Sequence, residues 1–178
     1  MPGGGRFGEA TVAEFDPERV LETLVRHDVG FVVIGGLAGS LYGSPHVTFD
    51  VDVTPDPSAE NLHRLAAALR ELDARIRTEG VEGGLRFDCT GEFLDKVDML
   101  NLVTSAGDVD LAMRPAGTGG YAPLAESSIV LDIRGTLFKV ASLEDVIRSK
   151  EAVDRPKDRL VLPALRALLE RHKADPER

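Results

Sequence analysis

Cysteine, tryptophan and positive charge are all scarce in this chain. It has one cysteine, Cys89, no tryptophan, and aromatic side chains at only 5% of 178 residues. A lone cysteine closes no internal disulfide, and no partner stands at zinc-ligand spacing. That excludes a disulfide scaffold and a thiolate metal centre, and it points to a reducing, cytoplasmic setting. With so few rings the core must be aliphatic, and at 43% hydrophobic residues there is enough to bury one without staples. No run of about 18 apolar residues occurs, and "MPGGGRFGEA" is not a basic-then-apolar leader, so neither membrane association nor secretion is expected. Lys and Arg number 21 against 30 Asp and Glu, a net charge of −9. Such a balance argues against broad adhesion to nucleic acid or anionic membrane. A local basic groove stays open, because Arg148, Lys150, Arg155, Lys157 and Arg159 gather near the C-terminus.

The length suits one domain with a helical appendage. Residues 1–15 read as a glycine-rich, disordered tail, 16–140 as the core and 141–178 as a C-terminal helical segment. Asp16 and Pro17 open a first helix, closed before Gly30. "FVVIGG" (31–36) is expected as a buried strand, "LAGSLYG" as a short helix and "VTFDVDV" (47–53) as a second strand. A clear helix follows, capped by Asp56 or Ser58, and "GLRFDCT" reads as a short strand. Two strands meet at Ser105-Ala106-Gly107. Then come a short helix near "YAPLAE" and strands near 128–133 and 135–140. Ser142 caps a further helix, and a last one runs from Lys157 to His172. The order predicts an α/β (α+β) fold, a mixed sheet followed by C-terminal helices.

Asp50 and Asp52 flank Val51 in a predicted strand, so their side chains share a face while Val51 and Val53 enter the core. Two carboxylates roughly 6–7 Å apart at the backbone repel one another unless a cation sits between them. Mg²⁺ suits such oxygen ligands together with substrate phosphates. The bland alternative is a solvated strand face. Upstream, the glycine turn at Gly35-Gly36 leads into a helix start, a geometry that lets backbone N–H groups approach phosphate. A third carboxylate is sought downstream. Asp110 is the best placed, between Val109 and Leu111, where it could ligate an ion and accept a proton. Asp88 and Asp98 compete for the role, and Asp108, beside the turn, is expected to be exposed.

Together these residues resemble the nucleotidyltransferase superfamily with a DNA-polymerase-β-like core: Ile34-Gly35-Gly36, a spacer from Leu37 to Phe49, Asp50-Val51-Asp52, and a later Asp110. More narrowly the chain resembles the AbiEii-type branch, toxins of abortive-infection and toxin–antitoxin systems. That branch has R-x-T-x-D-x-D, where this chain reads His46-Val47-Thr48-Phe49-Asp50-Val51-Asp52, with histidine in the arginine's place. Asp145, Lys150, Arg155 and Asp158 follow one another as in that branch, and the likeness covers most of residues 30–165.

The resemblance implies an enzyme that moves NMP from an NTP to a hydroxyl. Asp50, Asp52 and Asp110 would be catalytic and hold Mg²⁺, with Mn²⁺ as a substitute. Gly35, Gly36, Ser40, Thr48 and Lys150 would bind the nucleotide. The acceptor would be RNA (tRNA in related toxins) or protein, and a cognate antitoxin would be the partner. Lys150 reads equally as a solvated helix lysine, and Asp158 as a helix cap or a partner for Arg155. "PAGTGGY" would cover the nucleotide with Tyr121 stacked on a base, unless Tyr121 is simply a core residue. Three rival readings stand beside it: an antibiotic-type nucleotidyltransferase acting on a small molecule, a non-catalytic nucleotide-binding module, and a plain metal-binding domain.

Overall fold

The computed structural model describes residues 14–174. The expected N-terminal tail therefore lies outside the described residues, except for its last two positions. There Phe15 packs edge-on against Phe49, and just beyond it the Asp16 amide donates to the Ala106 carbonyl. A helix α1 (Pro17–Arg26) then begins, with the Asp16 carboxylate accepting from Arg19 N as its cap.

Seven strands form one mixed sheet in the order β3-β4-β5-β2-β1-β7-β6. They are β1 (Phe31–Val33), β2 (Asp50–Pro55), β3 (Arg75–Ile76), β4 (Met99–Thr104), β5 (Gly107–Ala112), β6 (Ile129–Ile133) and β7 (Thr136–Val140). The β2/β5 and β1/β7 pairs are parallel and the others antiparallel. Between and after them lie α2 (Gly35–Leu41), α3 (Ala59–Glu71), α4 (Gly91–Leu94), α5 (Tyr121–Ser127), α6 (Leu143–Val153) and α7 (Pro156–Ala174). The expected α/β architecture with C-terminal helices is what the chain adopts.

Strict alternation in "DVDVT" and "GDVDL" decides how the sheet is dressed. Val51, Val53, Val109 and Leu111 are fully buried, and α1 and α3 bring Val20, Leu24, Leu62, Leu65 and Leu69 to the same aliphatic core. The aspartates of the same strands turn to the opposite face, beside α2 and α6. The core has the aliphatic character that the scarcity of rings required.

Several boundaries differ from expectation. The strand expected over 31–36 stops at Val33, because Gly35 takes φ +64° and starts α2 directly. The strand expected over 47–53 begins only at Asp50. Val47 and Phe49 are 77% and 74% exposed and have no strand to pair with. "GLRFDCT" forms no strand beyond a single bridge between Ile76 and Leu85, and its end leads into α4, capped by Thr90. The pairing of β3 with β4 had no signal in the sequence, since two residues carry no periodicity. Ser58 occupies the cap position of α3 without a side-chain cap bond, while Asp56 Oδ1 accepts from Ser58 N.

Candidate active site

The parallel register of β2 and β5 sets Asp50 opposite Asp108 and Asp52 opposite Asp110. Neighbouring strands lie about 4.8 Å apart, so pairing alone brings Asp110 next to the Asp50/Asp52 pair. Oxygens of Asp50, Asp52 and Asp110 all lie within 4.8 Å of one another. These three face a cavity of about 840 Å³ bounded by α2, α6, α7 and the mouth of the sheet.

The glycines stand hard against this cluster. The Gly36 amide hydrogen-bonds the Asp52 carboxylate. At Gly35 any Cβ would collide with that carboxylate, and φ there is +64°, a conformation that also favours glycine. A Cβ at Gly36 would come within 2.9 Å of Thr48 Oγ1. Thr48 itself donates to Asp50 Oδ1 at 2.5 Å, fixing the rotamer of the first carboxylate. Ser40 is differently engaged: its hydroxyl lies 3.1 Å from the carbonyls of Gly36 and His46, tying α2 to the loop before β2. It does not line the cavity, whereas Gly35, Gly36, His46, Thr48 and Lys150 do.

Crowding of like charges shows in the ionisation of the cluster. Burial, reinforced by the charges of Asp50 and Asp110, pushes the Asp52 carboxyl up to about 7, against the pull of the Gly36 amide and Lys150. Burial likewise raises Asp110, opposed by Arg77. Carboxylates so close, with so little compensating charge, fit a divalent cation held through oxygen ligands.

Arg77 is the residue that sequence reading missed. From the loop after β3, its Nη2 donates to Asp110 at 2.7 and 3.0 Å and its Nη1 to Asp108 at 2.5 Å. Nothing in "RIRTEG" advertises this role. It arises because β3 pairs with β4, whose Asn101 is in register with Asp110 and accepts from the Arg77 amide. Asp108, expected to be exposed, is only about one-third so and is ion-paired. Asp88 and Asp98 take no part in the cluster.

Across the cavity, α6 and α7 supply cations. Asp158, 1% exposed, accepts from Arg155 Nε at 2.7 Å and Lys150 Nζ at 3.3 Å. Burial opposes its ionisation, but those two partners outweigh it and hold the carboxyl below its ordinary range. Asp158 is thus the anchor of both cations. Asp145 is structural: it accepts from Ser127, Ser142 and Arg148 and ties α5 to α6. Pro115, Ala116 and Thr118 of the glycine-rich loop line the cavity, but Tyr121 does not. It lines a separate pocket of about 310 Å³ with its hydroxyl beside Gly30, so it cannot stack on a nucleotide at the carboxylates.

No family model matches the chain, and no curated protein does. Solved structures do match. The lincosamide antibiotic adenylyltransferase LnuA, solved with lincomycin bound, is 12% identical with a TM-score of 0.57, over 86% of this chain and 98% of that one. ANT(2″)-Ia, solved with adenylyl-2″-tobramycin, is 18% identical with a TM-score of 0.53, over 88% and 89%. A Thermotoga maritima protein assigned as a nucleotidyltransferase is 17% identical with a TM-score of 0.52, over 83% and 88%. At such identities the likeness speaks of architecture. The chain has the fold of nucleotidyltransferases, and a three-carboxylate cluster that could hold a divalent metal lies in the cavity of about 840 Å³.

Proposed function

We propose that the protein is a Mg²⁺-dependent nucleotidyltransferase that transfers NMP from an NTP to a hydroxyl. The observation that carries this reading is the convergence of Asp50, Asp52 and Asp110 on one cavity whose opposite wall is basic. Asp50 and Asp52, with Asp110, would hold the divalent cation, whose contribution when bound is to neutralise charge building on the phosphates. The Gly35-Gly36 turn lets the Asp52 carboxylate and Thr48 pack against the backbone, which sets the carboxylates beside the cavity where the phosphates would lie. Lys150 and Arg155, held by Asp158, set positive charge toward the triphosphate. Asp110 takes the proton from the acceptor hydroxyl. That oxygen bonds the α-phosphorus, and the bond from the α-phosphorus to the bridging oxygen breaks as pyrophosphate leaves.

The likeness of residues 46–52 to the AbiEii-type stretch supports an RNA or protein acceptor and a cognate antitoxin. The fold neighbours solved with adenylyl-2″-tobramycin and with lincomycin favour a second reading, transfer to a small molecule. The test is incubation with each α-labelled NTP, Mg²⁺ and either total RNA or a panel of small hydroxylated compounds. Asp50→Asn is expected to abolish all labelling. If NTP with Mg²⁺ neither shifts the melting temperature nor labels any acceptor, the enzyme reading fails.

A further inference from the structure

Part of the cavity wall is bare sheet. On β4, Met99 and Asn101 alternate onto the same face as Ala112 and Asp110 of β5, with Met99 in register with Ala112 and Asn101 with Asp110. Both β4 residues are exposed, Met99 at 67%. A sheet face in an α/β fold is ordinarily covered by a helix. Here α2, α6 and α7 stand at the other side, toward β1, and no described helix covers β4 on this face.

Apolar surface is concentrated at this cavity. Ten large apolar side chains are prominently exposed among the described residues, and five of them line it: Val47, Phe49, Met99, Val153 and Leu160. Exposed apolar residues gathered round one concavity mark a binding surface, whereas scattered ones do not.

Charge divides the cavity in two. Lys150 comes from α6, Lys157 from α7 and Arg155 from the link between them. The strand side holds Asp50, Asp52 and Asp110, and the guanidinium there, Arg77, is already shared between Asp108 and Asp110. A triphosphate belongs on the helix side. Among the residues that line the cavity on the strand side, a second polyanion would meet carboxylates and apolar side chains, and Arg77, already ion-paired, is the lysine or arginine found there.

We propose that the bare β4–β5 face is the acceptor subsite, and that it takes a hydroxyl-bearing small molecule with an apolar face and a neutral or positive charge. The proposal rests on the nucleotidyltransferase reading and names its substrate class. Met99 and Phe49 supply apolar contact, and the Asn101 amide offers a donor and an acceptor beside Asp110. The acceptor hydroxyl is thereby presented to the carboxylate that takes its proton, on the side away from the leaving pyrophosphate.

The test separates the subsite from the chemistry. The neutral, environment-sensitive dye Prodan is titrated into the wild type, Met99→Lys, Met99→Ala and, as a control on an exposed residue elsewhere, Leu137→Lys, each with and without NTP and Mg²⁺. Prodan is expected to bind the wild type together with NTP. Binding should weaken about tenfold in Met99→Lys, less in Met99→Ala, and not in Leu137→Lys. NTP affinity, read by thermal shift, should stay within about twofold in Met99→Lys. Displacement of Prodan by NTP would make the apolar wall a base subsite and overturn the proposal, as would equal Prodan binding by all variants. In the labelling assay, transfer to RNA and to none of the neutral or cationic amphiphiles overturns the proposal while the nucleotidyltransferase reading stands. Failure of NTP to bind any variant overturns that underlying reading instead, whatever Prodan does.

Discussion

Arg77 and Asp110 meet through one nitrogen: Nη2 of the guanidinium lies 2.7 Å from Oδ1 and 3.0 Å from Oδ2 of the carboxylate. The other nitrogen holds Asp108, so the fork is anchored on one β5 carboxylate while it orients the other. Arg77 is in this sense a positioning residue, acting through Asp110. Arg77→Ala is expected to lower kcat by about 10- to 100-fold with KM for NTP little changed, since comparable supporting partners have such effects. Lysine should restore only part of the loss, because a single ammonium cannot fork. A lowered melting temperature with unchanged kcat would reduce Arg77 to a clasp between strands.

The Asp52 carboxyl is pushed up to about 7 from an ordinary 3.8. In metal-free protein the folded state therefore keeps a proton that the unfolded chain has released. The folded state binds the extra proton between these two values, so this group's contribution to stability falls as pH rises from about 4 to 7. Asp52→Asn removes that penalty. Metal-free Asp52→Asn is expected to melt above the wild type at pH 8, with the gap closing toward pH 4. Mg²⁺ should raise the wild-type melting temperature more at pH 8 than at pH 5.5. A gap independent of pH would refute the assignment.

Gly35→Ala should damage fold and site together. The residue sits at φ +64° and its Cβ would strike the Asp52 carboxylate. Gly83 has φ +74°, and a Cβ added there would meet nothing within 4 Å, so Gly83→Ala reports the conformational strain alone, about 1 kcal/mol. Urea denaturation is expected to show a larger loss for Gly35→Ala, together with weakened Mn²⁺ binding by electron paramagnetic resonance. Equal losses and intact Mn²⁺ binding would contradict the close approach.

Asp158→Asn removes the charge between Lys150 and Arg155. Asp158 is buried but Arg155 is half exposed, so the loss of stability should lie at the low end for a broken buried pair, about 3 kcal/mol. Freed of their anchor, the two cations should also hold the triphosphate less well, raising KM for NTP several-fold. Denaturant titration and steady-state kinetics measure the two effects separately. An unchanged KM would leave Asp158 a purely structural residue.

Much of this site is local and could be read from the chain. Alternation in "DVDV" and "GDVDL" dictates which side chains enter the core, because a strand has a period of two whatever it pairs with. The glycine pair marked a turn, and its position after an apolar run marked a strand end, although the helix begins two residues sooner than expected. The aliphatic core followed from composition. What the sequence could not contain is register. Asp110 joins Asp50 and Asp52 because β5 runs parallel to β2 with Asp52 opposite Asp110, a relationship between segments nearly sixty residues apart. Arg77 reaches the cluster only because two residues of β3 pair with β4, and Tyr121 leaves it because α5 packs beside β1. Distance along the chain carries no information about which side chains share a cavity, so the carboxylates were legible one by one and their company was decided by the sheet.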